Sequence, residues 1–221
     1  MIIKLSIYFV IGLTLLVSYL LGCFNGAVVT SHFIIRDDVR KHGSGNAGLT
    51  NFYRTYGAKY ALIVIACDMG KTLLSCLIGG YLMLCTNGNW TFGVLLGGIG
   101  CELGHIFPAY YGLKGGKGIL SGGVLVCMLD WRIALIAWGL FILLWLLTRY
   151  VSLGSIVGSA SMPFTAFFVF DHDPLLTALC ALVAALVIYC HRENIRRLLK
   201  GTERKFRWHV NPISPDESDS E

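Results

Sequence analysis

Charge is what this chain has least of. Only 14% of its 221 residues are Asp, Glu, Lys or Arg and 55% are hydrophobic, whereas a soluble domain carries about 25% charged residues. The shortfall argues for lipid as the solvent. No stretch is left over for a soluble domain, because the longest segments outside apolar runs are residues 36–59 and the tail from His191, both too short for a core of their own. An active site must therefore be built from loops and helix ends at the bilayer surface. The eight cysteines (positions 23, 67, 76, 85, 101, 127, 180 and 190) never fall at Cys-x-x-Cys spacing. That removes the usual zinc and disulfide frameworks and leaves small apolar packing residues. The Walker A spacing is missing, so nucleotide hydrolysis gains no support. No internal repeat is visible, which weighs against a transporter made of two related halves. Leu20-Leu21-Gly22-Cys23 faintly matches a lipoprotein cleavage site, but the apolar runs that follow argue against a processed leader.

What the chain does have is apolar runs at 2–21 (extending to 35), 60–85, 90–107, 118–129, 133–148, 151–170 and 175–190. At about 20 residues per crossing, they predict an all-α, polytopic membrane protein of about seven transmembrane helices. The fourth run is short. Asp130-Trp131-Arg132 reads either as a hairpin turn or as a blemish in one long helix. With the N-terminus outside and seven crossings, the inner loops hold Arg36, Arg40, Lys41, Arg54 and Lys59, then Lys114 and Lys117, then Arg149. The C-terminal tail adds Arg192, Arg196, Arg197, Lys200, Arg204, Lys205 and Arg207, leaving only Lys4, Lys71 and Arg132 of the 18 basic residues. Merging the fourth and fifth runs would expel the basic tail, against the positive-inside bias. Seven spans, or five with two runs stopping short, keep the parity and a cytoplasmic C-terminus. Residues 1–207 read as one membrane domain, and 208–221 as an acidic, disordered tail.

Three polar segments interrupt the apolar chain, at 41–54, 104–118 and 191–203, and this topology places all of them on the cytoplasmic face. Lys114-Gly115-Gly116-Lys117-Gly118 opens the fourth run near a helix N-terminus. Glycines let backbone N–H groups approach a ligand, a helix start favours anions, and two lysines add charge; the bland alternative is a basic loop that only sets topology. Gly43-Ser44-Gly45-Asn46 with Thr50, Asn51 and Arg54 supplies backbone nests, hydroxyls, amides and a guanidinium able to grip phosphate, or else a plain turn. Arg149 and Ser152 mark another junction, where Arg149 can equally be a snorkelling helix end. His191 and Asn194, one turn apart, share a helix face.

Asp68 and Lys71 lie inside the second span at a spacing that lets them pair; a structural brace fits them better than catalysis. Glu102 and His105 share a face of the third span, and His105 is close enough to the lysine loop to line the same site. His32-x4-Asp37 has the spacing of an acyltransferase His-Asp dyad, but chance and missing context reject it. Two non-enzymatic readings remain: a small transporter for a phosphorylated solute, and a non-catalytic binder of anionic lipid through the basic tail.

The chain resembles the bacterial membrane acyl-phosphate:glycerol-3-phosphate acyltransferases. That family's Gly-Ser-Gly-Asn-x-Gly-x-Thr-Asn-x-x-Arg motif is matched at 43–54. Its Gly-His-x-Phe-Pro and Lys-Gly-Gly-Lys-Gly motifs are matched at 104–108 and 114–118, and its His-x-x-Asn-Ile-x-Arg-Leu then Gly-x-Glu motif at 191–203. Departures are Cys23 and Asn25 where Gly-Ser-x-Pro is usual, Leu113 for Phe, and Thr72 for Gly. The resemblance implies transfer of an acyl group from acyl phosphate to the 1-hydroxyl of glycerol 3-phosphate, giving lysophosphatidate and inorganic phosphate. It implies no cofactor, metal or nucleic acid, and a multi-pass protein of the bacterial cytoplasmic membrane. Membrane lipid and the enzyme that makes acyl phosphate are the partners expected. On this reading Lys114, Lys117 and the Gly115 and Gly116 backbone hold one phosphate, and Ser44, Asn46 and Arg54 the other. Arg149 and Ser152 close the site, and His191 and Asn194 orient the hydroxyl. Either His191 or the acceptor's own phosphate takes the proton.

Overall fold

The computed structural model describes residues 6–208; Lys4 and the tail from residue 209 lie outside the described residues. Within the described residues, every apolar run becomes a helix. In chain order these are α1 (Ile7–Cys23), α2 (Gly26–Thr30), α3 (Leu49–Tyr56), α4 (Ala58–Asn87), α5 (Trp90–Ile106), α6 (Ile119–Leu129), α7 (Trp131–Thr148), α8 (Val151–Val169), α9 (Pro174–Cys190) and α10 (Arg192–Leu199). Five stretches are long and apolar enough to cross a bilayer (Ile7–Ile35, Ala58–Asn87, Trp90–Tyr111, Trp131–Thr148 and Val151–Val169), and α9 with α10 makes a sixth, bent by 59°. α6 has 11 residues, hence a length of about 16 Å, roughly half of a hydrocarbon core.

The turns at the end of the bundle away from the three polar segments are capped by short polar side chains. Asn89 accepts from the Phe92 amide, Asp130 from Arg132, and Asp173 from Leu175 and Leu176, with Pro174 in the first turn. These satisfy orphan amides and start α5, α7 and α9. Asp130 therefore breaks the chain. Trp138 Nε1 donates to the Gly123 carbonyl at 3.2 Å, whereas residues so spaced on one straight helix would stand about 22 Å apart. α6 and α7 form a hairpin.

α5 is the central post, with 78% of its apolar window buried against 11% for α7, which lies at the edge. Its glycines let backbones touch: a Cβ at Gly93 would overlap the Gly79 carbonyl of α4, and one at Gly104 the Tyr19 carbonyl of α1. Such small-residue contacts hold helices together where lipid offers no hydrophobic drive.

Two features of this bundle position the site. α6 and α7 share the Asp130 turn but differ by seven residues in length (11 against 18), so α6 stops about 10 Å short of the far end of α7 and leaves a step. The second is a brace at the break between α1 and α2. Lys71 Nζ donates to the carbonyls of Gly22 (3.2 Å) and Phe24 (2.8 Å), the last of α1, while Asp68 Oδ1 accepts from the Gly26 amide, the first of α2, at 3.1 Å. The two side chains pair at 2.8 Å, and Lys71 Nζ also lies 2.9 Å from His105 Nδ1. A cation at a helix C-terminus and an anion at an N-terminus each meet the favourable end of the macrodipole. The two side chains pair as their spacing predicts, and their bonds hold the break between α1 and α2.

Candidate active site

The first polar segment is folded by its own asparagines. Asn51 Nδ2 donates to the carbonyls of Val39 and His42, and its Oδ1 accepts from the Ser44 amide at 2.9 Å. Asn25 Nδ2 holds the Ala47 carbonyl from below. Gly43 and Gly45 take φ of 61° and 68°, which only glycine adopts without strain. The loop delivers Gly48 as the N-cap of α3, with no side chain capping the helix.

The second segment works differently from its sequence expectation. The Gly115 amide donates to the Ile106 carbonyl and the Gly116 amide to the His105 carbonyl, both at 3.1 Å. Neither amide is free for a phosphate: both fasten the loop to the end of α5. Gly118 is the glycine at the start of α6, at φ 81°, again without a capping side chain. A Cβ there would run into the Glu102 carboxylate, whose oxygens are buried without a hydrogen-bond partner. α8 also begins uncapped, after Tyr150.

These three helix starts face one cavity of about 410 Å³. Of the residues singled out from sequence, Ser44, Asn46, Arg54, Lys117, Ser152, His191 and Asn194 line it. Lys114 and Arg149 are exposed and do not. Arg149 ends α7 in a left-handed turn and offers its carbonyl to the Phe206 amide at 2.8 Å. Asp68 and His105 reach the wall of the cavity as well. His32 is exposed and stands edge-on to Phe33, while Asp37 accepts from Tyr56 Oη; no dyad forms.

Glu203, Arg197 and Arg204 also line the cavity and were missed as site residues, although all lie in or beside the third polar segment. Glu203 is the hub. Its Oε1 accepts from Ser152 Oγ (2.8 Å) and Asn194 Nδ2 (2.7 Å), and its Oε2 from Arg197 Nε (2.7 Å). Lys117 Nζ donates to Asn194 Oδ1, which joins the second segment to the third. Residues 202–208 then strap across the first: Arg54 donates to the Arg204 carbonyl, Tyr53 Oη to that of Trp208, and Phe206 stacks on Tyr53 at 5.4 Å.

Burial would raise the Glu203 carboxyl, but the bonds from Asn194, Arg197 and Ser152 hold it below the usual range. Burial, with Arg197 close by, pushes Lys117 down to about 8. His191 stands on the cavity wall. Its Nδ1 lies 2.8 Å from the Val187 carbonyl. A carbonyl only accepts, so Nδ1 carries the hydrogen and Nε2 presents a lone pair. The lining thus offers Arg54, Lys117, Arg197 and Arg204 against Glu203 and an Asp68 already paired with Lys71.

A profile described as glycerol-3-phosphate acyltransferase matches residues 12–201. The chain belongs to that family. Among similar proteins, the glycerol-3-phosphate acyltransferase of Thermoanaerobacter pseudethanolicus is 39% identical over 194 residues, covering 88% of this chain and 94% of its own. The Bacillus subtilis one is 36% identical over 199 residues, covering 90% and 98%. The fold matches crystal structures of PlsY (YgiH), an integral membrane glycerol 3-phosphate acyltransferase. Its glycerol 3-phosphate form gives a TM-score of 0.79 at 32% identity over 89% of this chain and 96% of that one; its lysophosphatidic acid form gives 0.76 at 31% over 90% and 96%. Like those members of the family, this chain is a multi-pass membrane protein.

Proposed function

We propose that the protein transfers a fatty acyl group from acyl phosphate to the 1-hydroxyl of glycerol 3-phosphate, releasing lysophosphatidate and inorganic phosphate, at the cytoplasmic face of a bacterial inner membrane. The observation that carries this reading is the convergence of three uncapped helix starts and four cationic side chains on one cavity. That is a site for more than one anionic group, as a reaction between two phosphates requires. Lys117 and the start of α6 hold the phosphate of glycerol 3-phosphate. Ser44, Asn46, Arg54 and the start of α3 hold that of the donor, with Ser152 between them. Gly115 and Gly116 contribute by placing Lys117.

The hydroxyl oxygen attacks the acyl carbonyl carbon, an ester C–O bond forms, the bond to the phosphate oxygen breaks, and the proton ends on phosphate. A phosphate monoester titrates near ~6, so the acceptor carries its own base close to the attacking hydroxyl. The acceptor's phosphate takes the proton, and the lone pair on His191 Nε2 aims the acceptor through its other hydroxyl. Positioning and charge stabilisation do the rest; one donor aimed at the developing oxyanion contributes about 3–4 kcal/mol.

The test is phosphate release by purified protein given glycerol 3-phosphate and palmitoyl phosphate, with palmitoyl-CoA in parallel. Phosphate and lysophosphatidate with the acyl phosphate alone are expected. Activity with the thioester alone would overturn the donor, and silence with both, in folded protein, the reaction.

A further inference from the structure

A second opening leaves the polar cavity and runs down between α6, α7, α8 and α9. It shares Gly118, Ile119, Trp138, Phe141 and Ser155 with the cavity and is far narrower, about 50 Å³ against about 410 Å³. Its lining carries no charged side chain, which suits a methylene chain rather than a phosphate. Beyond the mouth its walls are Gly122 and Val126 on α6, Gly158 and Ser159 on α8, and Val183 and Val187 on α9, with Met162 at the deep end.

The slot is blind. From Ser155 to Met162 along α8, and from Ile119 to Val126 along α6, the descent is seven residues, about 10 Å on either helix. At that level Met162, Val126 and Val183 are buried and join a closed core with Leu125, Ile133, Ala166 and Cys180. A depth of about 10 Å takes roughly eight carbons of an extended chain. The slot shares its upper lining with the cavity that would hold the donor's phosphate, and this adjacency names its occupant.

We propose that the slot is the enzyme's chain-length gauge, that it seats the carboxyl-proximal carbons of the donor's acyl chain, and that Met162 at its floor, with Ser159 on its wall, sets which chain lengths react best. The proposal rests on the acyl-phosphate reading above. A longer chain must turn at Met162 and leave sideways towards lipid. Met162 is a fitting floor because an unbranched thioether yields to a passing chain where a branched side chain would block it.

The experiment measures kcat/KM for acyl phosphates from octanoyl to stearoyl with the full-length protein, Met162→Ala and Ser159→Leu. Met162→Ala deepens the slot and should move the optimum to longer chains. Ser159→Leu should move it to shorter ones, changing the stearoyl-to-decanoyl ratio by about tenfold or more, the discrimination an apolar pocket gives one or two methylenes. KM for glycerol 3-phosphate should not move in either. Profiles that superimpose on wild type in both active variants overturn the gauge and leave the reaction standing. Should only acyl-CoA of the same lengths react, the donor reading falls and the same variants read the gauge on thioesters. No transfer from either series overturns both.

Discussion

Lys117 is the side chain whose chemistry can be followed by pH alone. Its ammonium is held near 8 by burial and by Arg197. It is therefore about 90% charged at pH 7 and about 10% charged at pH 9, where an ordinary lysine would still be protonated. A hydrogen bond to a charged partner contributes about 1.5–3 kcal/mol, so Lys117→Ala should raise KM for glycerol 3-phosphate by about 10- to 150-fold. The sign for wild type follows. Lowering the pKa means the proton leaves as pH rises through ~8, so kcat/KM for the acceptor should fall above that point by up to tenfold per unit and level off near the Lys117→Ala value. Lys117→Arg keeps its charge to far higher pH and should be flat to pH 10. The assay is incorporation of labelled glycerol 3-phosphate in detergent from pH 7 to 10, where the substrate phosphate stays dianionic. A wild-type profile flat to pH 10, or an arginine variant falling in parallel with it, would take the Lys117 charge out of acceptor binding.

Lys71→Met should strip Asp68 of its partner and destabilise the fold by about 3–5 kcal/mol, with much of the loss restored by adding Asp68→Asn; equal thermal unfolding of the single and double variants would deny the brace. Gly118→Ala should cost about 1–2 kcal/mol from its left-handed backbone plus the overlap with Glu102, so Glu102→Ala should rescue its activity only in part, and no rescue at all would remove that contact from the account. His191→Gln should lower kcat by about 10²-fold yet keep the acid limb of the pH profile, which belongs to the acceptor; a limb that vanishes in the variant would make His191 the base. Lys114→Ala and Arg149→Ala, both exposed and outside the cavity, should change KM by no more than about twofold; a tenfold rise in either would put it back among the phosphate ligands.

The helices were legible because lipid tolerates little but apolar residues over a long run, and each run drawn from sequence is a helix here. What sequence left open at Asp130 turned on one side chain: the carboxylate caps α7 and forces the hairpin, a choice that hydropathy does not register. The first polar segment was read for its glycines and hydroxyls, and the cavity does include Ser44, Asn46 and Arg54. The second misled where it looked clearest. Glycine pairs beside lysines resemble an anion nest, but at Gly115 and Gly116 the missing side chains serve close packing on His105 and Ile106. Only the three-dimensional neighbours tell those uses apart. Glu203, the last residue of the Gly-x-Glu motif, drew no role from sequence. A carboxylate beside arginines has no visible partner there until the bend at His191 turns it inward onto Ser152 and Asn194.

The short α6 makes the protein a depth gauge of its own surroundings. Because the helix stops about 10 Å below the end of α7, the cavity is a notch sunk below the end of the bundle, and an anion must enter it from above. Bilayer thickness fixes how far that notch lies below the interface, and mismatch of a few ångströms is accommodated by tilt and local thinning at modest energy. On the proposed function, supply of a soluble acceptor to the notch is thereby tied to the lipids that surround it.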